Sequence, residues 1–206
     1  MTDCCELGPV HERHRRTLEL ALWINAVMFV VEVVASVVGR STALLSDSMD
    51  MLGDAMVYGL SLYAVGRGTR WQHRAALVKG LVMVGFALGV LVQAGLRVAE
   101  GVTPRPAIMS AIGVLALAAN ATVVLALRPV RGDDLNMRSV WLCSRNDLVA
   151  NVGVLLAAGA VALTRSAWPD VAVGVGIAAL FGTSAARVIR AATADPGSRR
   201  LPEAGA

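Results

Sequence analysis

Apolar residues fall into six long runs separated by short polar breaks. The runs are Leu18–Val38, Leu44–Val65, Ala75–Val98, Ala107–Leu127, Val140–Leu163 and Val171–Ile189. Each is long enough for a helix to cross a bilayer, which takes about 20 residues. The breaks are rich in Gly, Pro, Arg and Asp, which end helices and tolerate polar boundaries. The pattern predicts an all-α integral membrane protein, a bundle of six transmembrane helices. The expected organisation is a Cys/His-containing tail over 1–17, a six-helix transmembrane domain over 18–190, and a short disordered tail over 191–206. The first run is too long for the apolar core of a cleavable signal, and no small-residue cleavage site follows it.

Composition supports this reading. Of the 206 residues, 56% are hydrophobic, above the 45–50% of an average soluble domain. Aromatics make up only 4%, so Ala, Val, Leu and Gly carry the apolarity. Small residues let membrane helices approach closely.

Charge sets the expected orientation. With six spans, both tails and the second and fourth connections share one side. That side holds Arg13, Arg15, Arg16, Arg67, Arg70, Arg74, Arg128, Arg131, Arg138, Arg187, Arg190, Arg199 and Arg200. The other side holds Arg40, Arg97, Arg105 and Arg165. The positive-inside rule then places both termini in the cytoplasm. The basic pI of about 9.5 reports topology rather than nucleic-acid binding, since no basic patch with interleaved aromatics exists.

Acids inside the apolar runs change the picture from fold to chemistry. Asp50 and Asp54 lie four residues apart in the second run, and Cys143 and Asp147 four apart in the fifth. Four residues is about one helical turn, so each pair shares a face. A charged side chain at mid-bilayer costs roughly 2.5–3.5 kcal/mol on insertion scales. Three carboxylates and a thiol offer O and S ligands in a number that suits a tetrahedral divalent metal. Low dielectric and mutual repulsion favour protons on such carboxylates, and a divalent cation expels them. One site can thus hold either metal or protons.

Other residues carry weaker or structural readings. Asp47 is a weaker ligand candidate and otherwise caps or bonds a neighbouring helix. Cys4, Cys5, His11 and His14 could capture soft metal at the mouth, although their spacing matches no closed zinc site. Cys143 could also be a small buried hydrophobe. Arg145 is about 200° around the helix from Cys143 and is expected to partner an acid such as Glu32 or Asp47. Asn25 and Glu32 share a face of the first helix and suit helix–helix hydrogen bonds. Asn120, Asn146 and Asn151 suit the same role. Met49, Met51 and Met56 are read as packing, and His73 as a solvated interfacial residue. Three cysteines make no disulfide framework.

The stretch Ser41-Thr-Ala-Leu-Leu-Ser-Asp-Ser-Met-Asp-Met-Leu-Gly-Asp resembles the second transmembrane helix of the cation diffusion facilitator family. Ala43 to Asp47 match that helix's Ala-Leu-Leu-(Ala/Ser)-Asp lead. Asp50 and Asp54 fall on its two metal positions. In the fifth span Asn151-Val-Gly-Val matches the family's small-residue run and puts Asp147 on its aspartate. Cys143 stands where the family usually has histidine. After Ile189 the resemblance stops, where typical members continue into a cytoplasmic metal-binding domain.

The resemblance implies a proton-coupled exporter of zinc or a related divalent metal such as cadmium or cobalt, working by alternating access, in a bacterial inner (plasma) membrane. Metal would be cargo, and no resident cofactor is implied. The implied partners are divalent metal ions, protons and the lipid bilayer, with no nucleic acid. A homodimer would have to form through the transmembrane helices. Two other classes compete. A membrane-embedded metal-dependent hydrolase would need a histidine in a span or an H-E-x-x-H motif, and neither is present. A non-transporting metal sensor or assembly partner would rely on the Cys4/Cys5 tail.

Overall fold

The computed structural model describes residues 12–64, 69–131 and 135–193. Cys4, Cys5 and His11, and the side chains of His14, His73, Lys79 and Cys143, lie outside the described residues. Six helices run through the described residues: α1 (Glu12–Gly39), α2 (Thr42–Ala64), α3 (Thr69–Glu100), α4 (Pro106–Leu127), α5 (Leu135–Thr164) and α6 (Trp168–Thr193). Each contains one of the six apolar runs or nearly all of it. The apolar runs begin at Leu18, Ala75 and Val140, but α1, α3 and α5 start earlier, at Glu12, Thr69 and Leu135. Those preceding segments hold helix formers such as Glu, Arg and Gln and no proline, so nothing stops the helix at the apolar boundary.

Among the described residues, five helices are long and apolar enough to cross a membrane: α1, α3, α4, α5 and α6. α2 has 23 residues, or roughly 35 Å of helix, which is length enough. Asp47, Asp50 and Asp54 dilute its apolarity. Its position explains how it tolerates them. α2 packs against α1, α3, α5 and α6, and it contributes to every apolar cluster in the described core. Val57 and Tyr58 join Leu18, Val123 and Leu127. Ala43 and Leu44 join Met109, Val154 and Ile177. Met49 meets Ala87, Val90 and Ala178, and Met51 meets Met28 and Ala116. Met49 and Met51 are therefore core packing.

The outer helices show the opposite pattern. Val27, Val30, Val34 and Val37 form an exposed row on α1, and Leu88, Leu91, Val92 and Leu96 another on α3. Such a surface would be a liability in water and is at home in lipid. The protein is an integral membrane protein whose aspartate-bearing second helix packs against four of the other five.

The links at one end are tight. α1 closes with paired hydrogen bonds, Ser41 N to Ser36 O at 3.0 Å and Arg40 N to Val37 O at 3.3 Å. Arg40 there has φ 52°. This is the Schellman pattern, which usually takes glycine at the left-handed position. α3 ends the same way, with Gly101 at φ 63° and Val102 N bonding Arg97 O at 3.3 Å. Arg105 is extended ahead of Pro106, the first residue of α4, as a pre-proline residue prefers. Its N–H donates to Gly39 O at 2.8 Å, which ties the α3–α4 connection to the end of α1.

A polar seam between α2 and α5

α2 and α5 carry polar residues at helical spacing that meet along one line. On α2 these are Asp47, Asp50, Asp54 and Tyr58. On α5 they are Ser144, Asp147 and Asn151. All seven except the half-buried Asp54 are buried.

At one end of the seam the Tyr58 hydroxyl donates to Asp54 Oδ2 at 2.7 Å and pairs with Ser144 Oγ at 2.9 Å. In the middle, one carboxylate oxygen from each of Asp50, Asp54 and Asp147 lies within 4.8 Å of the others. At the far end Asn151 Nδ2 donates to both oxygens of Asp47, at 3.0 and 2.8 Å. Asn120 of α4 donates in turn to Asn151 Oδ1 at 2.9 Å.

The middle group is the chemically distinctive one. Three acids this close repel one another when ionised, and burial gives them little water to offset the repulsion. Protons or a cation would relieve both costs. Oxygens of one small divalent ion stand about 2.1 Å from it, so small side-chain rotations would bring all three carboxylates into range. The backbone of Cys143 lies one turn before Asp147 in α5.

Asp47 bonds Asn151 of a neighbouring helix, the structural role expected of it beside its weaker candidacy as a ligand. Other sequence expectations land differently. Arg145 does not partner Glu32 or Asp47. It is exposed, and its guanidinium sits 5.5 Å from the Trp141 ring centroid, one turn back on the same helix. The 200° offset carries it away from the seam. Asn120 and Asn151 do bond between helices, whereas Asn146 is exposed. Asn25 donates to Ala21 O of its own helix at 2.9 Å. Glu32 is fully buried with neither carboxylate oxygen hydrogen-bonded among the described residues, so the expected helix–helix bonds from this face of α1 do not form there.

Two features escaped sequence reasoning. Tyr58 and Ser144 extend the two motifs by one turn and about one turn, a periodic signal that was there to be followed. Asp170, in the first turn of α6, is fully buried. It accepts from Ser41 Oγ at 2.5 Å, Thr42 N at 2.6 Å and Ala43 N at 3.1 Å. An acid in a first helical turn reads as an aid to its own helix. This one caps α2 instead. Ser46 Oγ donates to Gly174 O at 2.7 Å, and a Cβ on Gly174 would stand 2.8 Å from the Thr42 carbonyl carbon. α6 therefore lies in backbone contact with the start of the helix that holds two of the three acids.

Comparison with known proteins places the chain in a family. The chain is 28% identical over 174 residues to the metal cation efflux system protein CzcD of Cupriavidus metallidurans, covering 79% of this chain and 55% of that protein. The cation efflux system protein CzcD of an Alcaligenes species matches to the same extent. A cadmium, cobalt and zinc/H(+)-K(+) antiporter of Bacillus velezensis is 25% identical over 194 residues, covering 84% of this chain and 61% of that protein. The chain thus spans between half and two thirds of the length of these relatives. The cation efflux transmembrane domain matches residues 18–195, nearly the whole of the helical bundle, and the chain belongs to the cation efflux family that its α2 and α5 motifs resemble.

Proposed function

We propose that this protein exports a divalent transition-metal cation in exchange for protons, with the cargo held between α2 and α5 by Asp50, Asp54 and Asp147. The observation that carries this reading is the convergence of three carboxylates, from motifs nearly a hundred residues apart, at one buried point. Cys143, one turn from Asp147, would supply a fourth and softer ligand and favour zinc, cadmium or cobalt over harder ions. The name of the Bacillus velezensis relative, which pairs those three metals with protons and potassium, supports the same class. Asp47 and the Cys4, Cys5, His11 and His14 tail remain outside this ligand set.

The chemistry follows from charge. An arriving divalent ion replaces protons on the carboxylates, and protons arriving from the far side displace the ion. The excess of arginine on the tails and on the second and fourth connections supports cytoplasmic termini in a plasma membrane. Metal would then leave toward the side of Arg40, Arg105 and Arg165.

Reconstitution into vesicles with a trapped pH indicator tests the reading. Added zinc should drive proton movement across the membrane in the opposite direction, and magnesium should not. Metal entry without any proton countermovement would overturn the exchange.

Tyr58 offers a finer test. Its hydroxyl fixes the orientation of Asp54, and removing such a partner from a metal-binding carboxylate typically weakens affinity by about tenfold or more. Tyr58→Phe keeps the ring that packs in the α1–α2–α4 cluster. Calorimetric zinc titration should show a weaker site of unchanged stoichiometry. Unaltered affinity would mean that Asp54 is oriented by other groups.

A further inference from the structure

Where the α3–α4 and α5–α6 connections come together, Arg97, Gly101, Thr103, Arg165, Ser166 and Trp168 line a cavity of about 250 Å³. It lies at the opposite end of α3 and α5 from their polar first turns and takes no part in the α2–α5 seam. That volume corresponds to roughly eight waters, ample for a tetrahedral oxyanion with part of its hydration.

Arg97 gives the cavity its character. It is only 6% exposed. Its Nη2 donates to Ser36 O at 3.2 Å, at the carbonyl end of α1, and its Nη1 has no hydrogen-bond partner among the described residues. A guanidinium carries five N–H donors in a planar fork that matches phosphate oxygens. Asp170 is within electrostatic reach of Arg97, but its two oxygens already accept three hydrogen bonds from the start of α2. Glu100, one turn further along α3, is exposed. The second cation, Arg165, is exposed on the cavity wall and is held at φ 52° by its N–H bond to Val161 O at 2.8 Å. Thr103 and Ser166 add hydroxyls. Trp168, 65% exposed at the first turn of α6, stands where an amphipathic ring marks the boundary between acyl chains and headgroups.

We propose that this cavity binds a phosphate-class oxyanion, and that its source in the membrane is the headgroup of an anionic phospholipid. Buried and rim arginines together supply two positive charges to one phosphodiester, whose oxygens match the planar fork of a guanidinium. The flanking Val98, Ala167 and Trp168 face the start of the acyl chains. Lipid so held would join the α3–α4 connection to the α5–α6 connection.

Native mass spectrometry of the delipidated full chain tests this, with phosphatidylglycerol, phosphatidylcholine and inorganic phosphate as the probes. One phosphatidylglycerol should be retained at least about tenfold more tightly than phosphatidylcholine, and inorganic phosphate should not compete at equal concentration. Arg165→Asn removes a surface charge with a residue that tolerates the left-handed backbone. It should lower phosphatidylglycerol affinity about tenfold without changing the lipid-free melting temperature. Arg97→Lys keeps the charge and loses the fork, and should weaken retention as well. If Arg97→Lys does not fold, Arg165→Asn decides the matter alone. Equal retention of the two lipids, or unchanged phosphatidylglycerol binding in Arg165→Asn, would overturn the site. Inorganic phosphate binding as tightly as the lipid would overturn the lipid assignment.

Discussion

Asp147→Asn will abolish zinc-driven proton movement in vesicles and will leave a bundle that melts higher than the wild type when both are metal-free. The substitution removes one anionic oxygen at nearly constant volume. With Asp50 and Asp54 within 4.8 Å, removing the third acid relieves repulsion that burial leaves poorly screened. The gain should be about 1 kcal/mol or more in apparent stability, the usual direction when a functional site is neutralised. Saturating zinc should then raise the wild-type melting temperature through binding linkage and should not move that of the variant. The pairing of the two readouts matters. A purely structural Asp147 would make the variant less stable, and normal transport in Asp147→Asn would remove it from the ligand set.

Asp170→Ala should be the most destabilising single change in the bundle outside the apolar core. Its carboxylate satisfies two buried N–H groups and one hydroxyl at the start of α2, where helix geometry leaves N–H groups without partners. Each donor abandoned inside the protein costs about 1–3 kcal/mol, and a favourable charge at the positive end of the helix is lost as well. The expected loss is about 4 kcal/mol, with Asp170→Asn intermediate because its amide retains one acceptor. Thermal unfolding in detergent measures it. A melting temperature within a degree or two of the wild type would show that water takes over the cap.

What the sequence allowed and what it withheld divide along a physical line. The apolar runs located all six helices, because burial or lipid exposure over about 20 residues leaves an unmistakable composition. Spacing of four put Asp50 with Asp54, since one helix fixes its own faces. It could not say which face meets which helix. Asp47 finds Asn151, 104 positions away, and Asp170 finds Ser41, 129 away. Both pairings depend on packing that no local pattern records. Arg145 shows the same limit from the other side. Its direction around α5 was readable, but its resting against Trp141 of its own helix was not. The side chain of Cys143 lies outside the described residues, so its part in the site rests on the motif.

The sheltered position of α2 also bears on how the protein enters its membrane. Three aspartates in one segment would oppose insertion of that segment alone by roughly 8–10 kcal/mol. α1 is strongly apolar, precedes α2 in the chain, and is joined to it through Arg40 and Ser41 alone. A link that short obliges the two helices to fold back on each other as they arrive. The hairpin, rather than the single helix, is then the unit that partitions into lipid, and α1 carries its partner across. The later arrival of α5 and α6 would supply Asn151 and Asp170, which complete the solvation of a helix admitted on another's hydrophobicity.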